Sequence, residues 1–160
     1  RYEDIVRFAE LGVIPSMQAT HATSDKNMAV DRIGDVRIQG AYAWRKLIDA
    51  GALIANGSDF PVESPNPFFG LHASITRQDK NNDPVGGWYP EERMTPAEAF
   101  ASFTLDAAYS GFQEDWLGSL TPGKKADFIV LDRDIFSIPS SEIWQTQAVE
   151  TWVNGVRVNP

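Results

Sequence analysis

Leu53–Glu63 reads LIANGSDFPVE, and the rest of the chain is organised around it. Three apolar residues, Leu53, Ile54 and Ala55, lead through Gly57 to one carboxylate, Asp59, which Phe60 and Pro61 follow at once. A short apolar run bounded by Gly and Pro fits a strand covered on both faces, as in a parallel sheet with helices outside it. In such folds ligands are held at the C-terminal ends of the strands. The stretch therefore predicts a buried strand, Leu53–Asp59, that ends on a working residue. Gly57 gives the backbone freedom there, and Pro61 stops regular pairing. On pattern alone, the competing role for Asp59 is that of a turn or helix cap.

Upstream, Tyr2–Leu11 alternates apolar and charged residues at helical spacing, and Gly12 closes it. Val13–Gln18 predicts a strand, followed by a polar loop over Ala19–Asp25. Asp25–Ile33 is ambiguous, and Gly34 breaks it. Val36, Ile38, Ala41, Trp44, Leu47 and Ile48 predict one helix over Val36–Ala50 that leads into the Leu53–Asp59 strand. Helix, Gly, strand and polar loop in that order are the grammar of an α/β unit.

Downstream, Asn66-Pro67 is a helix start with Asn as cap and Pro at the first helical position, and the helix runs to about Arg77. Gln78–Glu92 is a long loop holding Trp88 and Tyr89. Thr95-Pro96-Ala97-Glu98 is a capping box opening a helix over Pro96–Ser110. From Gly118 the pattern turns to β: a turn at Thr121–Lys124, a strand over Ala126–Leu131, and two strands flanking Asn154-Gly155, a strong hairpin signal.

Composition bounds the function. The 160 residues carry 22 acids against 14 Lys and Arg, a net charge of -8, which disfavours nucleic acid and anionic membrane surfaces as partners. With no cysteine, disulfides, thiolate catalysis and Cys-ligated zinc are excluded. No stretch is long and apolar enough to span a bilayer. A chain that begins with Arg1, already inside a helical pattern, is expected to be a piece of something longer.

Taken together, SMQATHATSD at Ser16–Asp25, AYAWRKLIDAG at Ala41–Gly51, NGSDFPVE at Asn56–Glu63, MTPAEAF at Met94–Phe100, GSLTPGKKADFIVLDRD at Gly118–Asp134 and TWVNGVRV at Thr151–Val158 carry a resemblance. In that order and spacing they resemble the C-terminal part of a metal-dependent amidohydrolase of the amidohydrolase-3 type. The resemblance implies the C-terminal fragment of a (β/α)8 barrel plus part of a small β-sandwich. Residues 1–117 would hold the last strands and helices of the barrel, with Val13–Gln18 its seventh strand and Leu53–Ser58 its eighth. Residues 118–160 would return to the sandwich.

The resemblance also implies a divalent metal, zinc first among the candidates, with most ligands outside this chain: a His-x-His pair on the first strand, a Lys or acid mid-barrel, and histidines on the fifth and sixth strands. Asp59 falls on the eighth-strand Asp, which binds metal and, as general base, takes the proton from the metal-bound water that attacks a C–N bond, most simply a non-peptide amide of a small molecule. His21 lies where the family motif reads Gln-Pro-x-His and is expected to touch substrate, although Ala19 stands here in place of Pro. A metal-ligand role and a plain loop histidine are its alternatives.

His72, among Phe68, Phe69 and Leu71, reads as a packed or capping histidine. Trp88 and Tyr89 are either pocket walls or loop anchors, and Asp25 reads as a helix cap. Gly123-Lys124-Lys125-Ala126-Asp127 lacks the phosphate-loop spacing. The isolated chain is expected to be inactive. Its partners would be a small-molecule substrate and either the rest of the barrel or another copy of the chain. Open strand edges predict an oligomer or local disorder around Gln78–Glu92. Two rivals remain open: a noncatalytic, self-associating fragment, and a deaminase of the same fold.

Overall fold

The computed structural model describes residues 1–158. In chain order the elements are α1 (Ile5–Glu10), β1 (Ser16–Met17), α2 (Ala19–Asp25), α3 (Ala29–Arg37), α4 (Trp44–Asp49), β2 (Ala55–Asn56), α5 (Pro67–Thr76), α6 (Pro96–Ser102), α7 (Leu105–Ser110), β3 (Phe128–Leu131), β4 (Ala148–Val153) and β5 (Val156–Arg157). Short 3-10 turns precede α1 and α4 and include Ser140–Gln145. The α/β class expected from the sequence is present, as a parallel pair and a separate antiparallel sheet. Among the described residues the parallel sheet holds two strands and does not close into a barrel. No described helix is long and apolar enough to cross a membrane.

β1 and β2 pair in parallel with Ser16 opposite Ala55 and Met17 opposite Asn56. Both strands are shorter than the apolar runs implied, and Leu53 is exposed rather than buried. With one neighbour each, they form ladder bonds only where they face each other: Ala55 N donates to Pro15 O and Gly57 N to Met17 O. Around the pair, Ala19, Ala22, Trp44, Leu47, Ile54, Phe68, Leu71 and Ala99 form the core. Ile135 and Ile143 from beyond residue 118 join that same core, and Ser140–Gln145 packs on α5.

Three expectations change. Ala19–Asp25 is helix α2, not a polar loop: its small residues Ala19, Thr20, Ala22 and Thr23 are buried, α2 packs on α5, and the Thr23 hydroxyl is satisfied by Thr20 O at 2.9 Å. The expected helix Val36–Ala50 is broken. Ala41 is extended, Tyr42 has φ 51°, and α4 starts only at Trp44, where the buried Glu92 carboxylate accepts from the backbone of Arg45 at 3.1 Å and pairs with the Lys46 ammonium. The expected helix Pro96–Ser110 splits at Thr104. There the Ser102 and Thr104 hydroxyls bond back to Ala99 O and Phe100 O, a competition that bends helices.

The locally encoded features stand as expected. Asn66 caps α5 by accepting from Phe68 N at 3.0 Å, and Thr95 and Glu98 form the full capping box. Thr121–Lys124 closes a turn. The hairpin β4–β5 turns through Asn154 and Gly155, both with positive φ, as the mirror-image turn of a two-residue hairpin requires. β3 completes the antiparallel sheet, with Phe128 stacked on Trp152. One side of this sheet leaves Ile129, Val153 and Val156 exposed. Gln78–Glu92 is tied internally, with the Gln78 amide donating to Asn82 O and Pro84 O.

Candidate functional site

Because β1 and β2 run parallel and in register, whatever follows either strand emerges at the same edge of the sheet. After β1 the chain turns straight into α2, with His21 in its first turn. After β2 it passes Gly57 and Ser58 to Asp59. The two side chains meet there, His21 Nε2 lying 3.9 Å from Asp59 Oδ2. The Asp59 side chain is 56% exposed and that of His21 25%. The His21 Nε2 atom itself is buried and has no hydrogen-bond partner among the described residues. Asp59 is held with φ 56°, in the left-handed region where Asp is tolerated, and its carbonyl accepts from Val62 N at 2.8 Å.

The far end of α2 is fastened on three sides. Ser24 donates to Glu63 Oε1 at 2.5 Å, and Asp25 accepts from the Tyr42 hydroxyl at 2.5 Å. Lys26 Nζ reaches Asp79 at 2.7 Å, the Asp83 carboxylate at 2.9 Å and Asp83 O at 3.0 Å. Burial works against the Lys26 ammonium, but the hydrogen bonds it donates to Asp79 and Asp83 outweigh it and leave its pKa raised. Burial pushes the Tyr42 phenol up to about 12, and its bond to Asp25 adds to the effect. Asp25 is thus a hydroxyl acceptor rather than a side-chain cap.

Behind the site, Arg77 is buried between Trp44 and Trp88 and donates to Trp88 O at 2.8 Å and Tyr42 O at 3.0 Å. Desolvation lowers its pKa to about 10. Trp88 also packs edge-on against Tyr42 and Tyr89, so it anchors the long loop. His72 is the packed histidine expected: it is buried, its ring nitrogens face Ser140 O and Asp79 O, and burial lowers its pKa. At the end of β2, the Asn56 amide donates to Ser102 Oγ at 2.9 Å.

An imidazole nitrogen without a partner, facing an exposed carboxylate, fits one side of a divalent-metal shell. Among the described residues no group of three His, Asp or Glu is placed to hold an ion. The structure therefore brings together the two residues singled out from the sequence and keeps His72 apart from them. Sequence reasoning missed Ser24, Glu63 and Arg77. Their contacts join segments far apart in the chain, which local patterns do not carry.

Residues 1–159 match the family described as "Amidohydrolase family". The chain is 31% identical over 155 residues to Protein LONG AFTER FAR-RED 3 of Arabidopsis thaliana, covering 96% of this chain and 26% of that protein. It is 30% identical over 115 residues to the N-substituted formamide deformylase of Arthrobacter pascens, covering 72% of this chain and 21% of the relative. The crystal structure of an uncharacterized metal-dependent hydrolase from Pyrococcus furiosus superposes with a TM-score of 0.70 at 31% identity, over 84% of this chain and 26% of that one. The chain spans between a fifth and three tenths of the length of the curated relatives it matches. With the family match running almost end to end, the chain belongs to the amidohydrolase family.

Proposed function

We propose that this chain is the C-terminal part of a metal-dependent hydrolase that cleaves a C–N bond, of the amide type, in a small molecule. The observation that carries the reading is the meeting of His21 and Asp59 at the shared edge of β1 and β2. In this reading β1 and β2 are the seventh and eighth strands of a (β/α)8 barrel. Residues 1–117 belong to that barrel and residues 118–160 to a composite β-sandwich. The relative named for its action on N-substituted formamides supports the C–N assignment.

Asp59 and, from its alternative role, His21 would hold a divalent metal, zinc by preference, together with ligands contributed from outside this chain. When bound, such an ion acts as a Lewis acid and lowers the pKa of water toward neutrality. Asp59 Oδ2 takes the proton of the attacking water and delivers it to the leaving nitrogen, a transfer that needs a carboxylate already in contact. In its substrate-contact role, which excludes ligation through the same atom, His21 offers Nε2 to a substrate hydrogen bond. The isolated chain, lacking the other ligands, is inactive.

The test is metal content together with hydrolysis of N-substituted formamides and related amides by the full-length protein, with and without Asp59→Asn. Loss of turnover in a folded variant supports Asp59 as the base. Unchanged turnover removes it, and turnover of an amino-substituted heterocycle to its carbonyl form with release of ammonia, in place of turnover of the amides, points to a deaminase.

A second reading, a noncatalytic self-associating module, is favoured by one feature. A cavity of about 460 Å³ opens against β1, lined by Ile5, Phe8, Ile14, Pro15 and Met17 together with Arg1 and Asp4. Sedimentation of the chain separates the two, since the module reading requires a stable homo-oligomer.

A further inference from the structure

Asp59 sits on a turn with little to hold it. Its neighbours Phe60 and Val62 are 66% and 68% exposed, and Asp59 itself is in the left-handed region. The turn nevertheless ends in a directed contact, since Glu63 accepts from Ser24 Oγ at 2.5 Å across 39 residues of sequence. Ser24 lies three residues after His21, so both side chains project from one face of α2. That face meets the turn twice, through His21 with Asp59 and through Ser24 with Glu63.

We propose that Ser24 and Glu63 are positioning residues that set Asp59 against His21. The inference rests on the reading of those two residues given above. A hydroxyl donating to a carboxylate makes a short, charge-assisted bond, stronger than one between neutral groups. It is anchored on a frame that does not move with the turn. The last residue of α2 and the C-cap after it are fixed elsewhere, Asp25 by Tyr42 and Lys26 by Asp79 and Asp83, and the Lys26 side chain is 8% exposed. α2 is therefore the fixed member and the turn Asp59–Glu63 the adjustable one. Reactive groups need placement to within about 0.5 Å, which an exposed turn such as Asp59–Glu63 does not supply unaided.

The experiment uses the full-length protein and two readouts: amide hydrogen exchange resolved to segments, and zinc affinity. The variants are Ser24→Ala and Glu63→Ala, the conservative pair Ser24→Thr and Glu63→Gln, and Asp59→Asn as control. Both alanine variants are expected to speed exchange across residues 59–63 by about tenfold while leaving α5 unchanged, because only local opening is released. They are also expected to weaken zinc binding by about tenfold, the range seen when a group supporting a metal ligand is removed, with partial recovery in the conservative pair. Unchanged exchange at residues 59–63 overturns the proposal. So does faster exchange with unaltered zinc affinity, provided Asp59→Asn weakens zinc. If Asp59→Asn leaves zinc binding unchanged, the metal reading of Asp59 fails instead, and the exchange data alone decide whether Ser24 and Glu63 hold the turn.

Discussion

The Arg77 guanidinium carbon lies 4.2 Å from the centre of the Trp44 ring, and both residues are almost wholly buried. A cation removed from water this far is retained because its neighbours replace part of that water: two indole faces and the carbonyls of Tyr42 and Trp88, with Nη2 unpaired among the described residues. Arg77→Met removes the donor to Trp88 O and one of the two donors to Tyr42 O, which keeps Trp44 N at 3.0 Å, and is expected to destabilise the protein by about 3 kcal/mol. Arg77→Lys recovers little, since an ammonium cannot reproduce the planar fork. Urea denaturation checks both, and a loss below about 1 kcal/mol contradicts the assignment of Arg77 as the centre of this packing.

Glu98 serves two elements, closing the capping box of α6 with Thr95 and receiving the Arg45 guanidinium. The Arg45 hydrogen bond, helped by Thr95, lowers its pKa from 4.5 to about 2. A depressed carboxyl contributes stability that is complete above its unfolded value and is lost as pH falls through the folded one. Stability should therefore decline between pH 4.5 and about 2, more steeply in the native protein than in Glu98→Gln. Parallel slopes over that window would show that the pair does not contribute. Thr95→Ala should cost about 1 kcal/mol at neutral pH through loss of the cap.

His72 behaves in the opposite sense to a salt-bridged histidine. Its pKa is lowered below 6.5 by burial, so the unfolded chain binds its proton first. Its contribution is complete above pH 6.5 and shrinks as pH falls below that value toward the folded pKa. Thermal melts should show a fall in Tm on acidification from pH 6.5 that is smaller in His72→Gln. The variant is expected to start from a lower Tm at pH 7, because the contacts to Ser140 O and Asp79 O are altered.

Gly87 has φ 89°, and a Cβ there would fall 2.4 Å from Thr76 O. Gly87→Ala combines left-handed strain with a clash against backbone and is expected to cost about 2 kcal/mol or more. Gly86→Ala next to it, with φ 84° but open space around it, isolates the strain alone and should cost less. Equal losses in denaturation would mean that the contact with Thr76 relaxes away.

Much of this architecture is legible where the encoding is local. Asn66-Pro67, Thr95-Pro96-Ala97-Glu98 and Asn154-Gly155 each specify a hydrogen bond or a backbone angle within four residues, and each forms as expected. α2 was missed because its buried face is made of Ala and Thr, small residues that read as polar loop although their spacing is helical. The break at Tyr42 answers to distant partners, Glu92 and Arg77, which no window around it contains. The break at Thr104 rests instead on hydroxyls that bond back within four residues, which a helical pattern of apolar positions does not register. Asp59 stood out because a strand led to it. Its distance to His21 follows only from the pairing of two strands, and the role of Ser24 only from where α2 places it.

The open side of the β3–β4–β5 sheet bears on how this protein behaves in bulk solution. Among the described residues, Ile129, Val153 and Val156 present an apolar surface between the outer strands β3 and β5, an arrangement prone to sheet-to-sheet sticking. For these 160 residues on their own, what opposes it is long-range repulsion between chains that each carry a charge of -8. Colloidal stability is then a property of salt and acidity more than of the fold. High ionic strength or protonation of the carboxylates should precipitate the folded protein well before it unfolds, while a single lysine at Val156 should keep it clear.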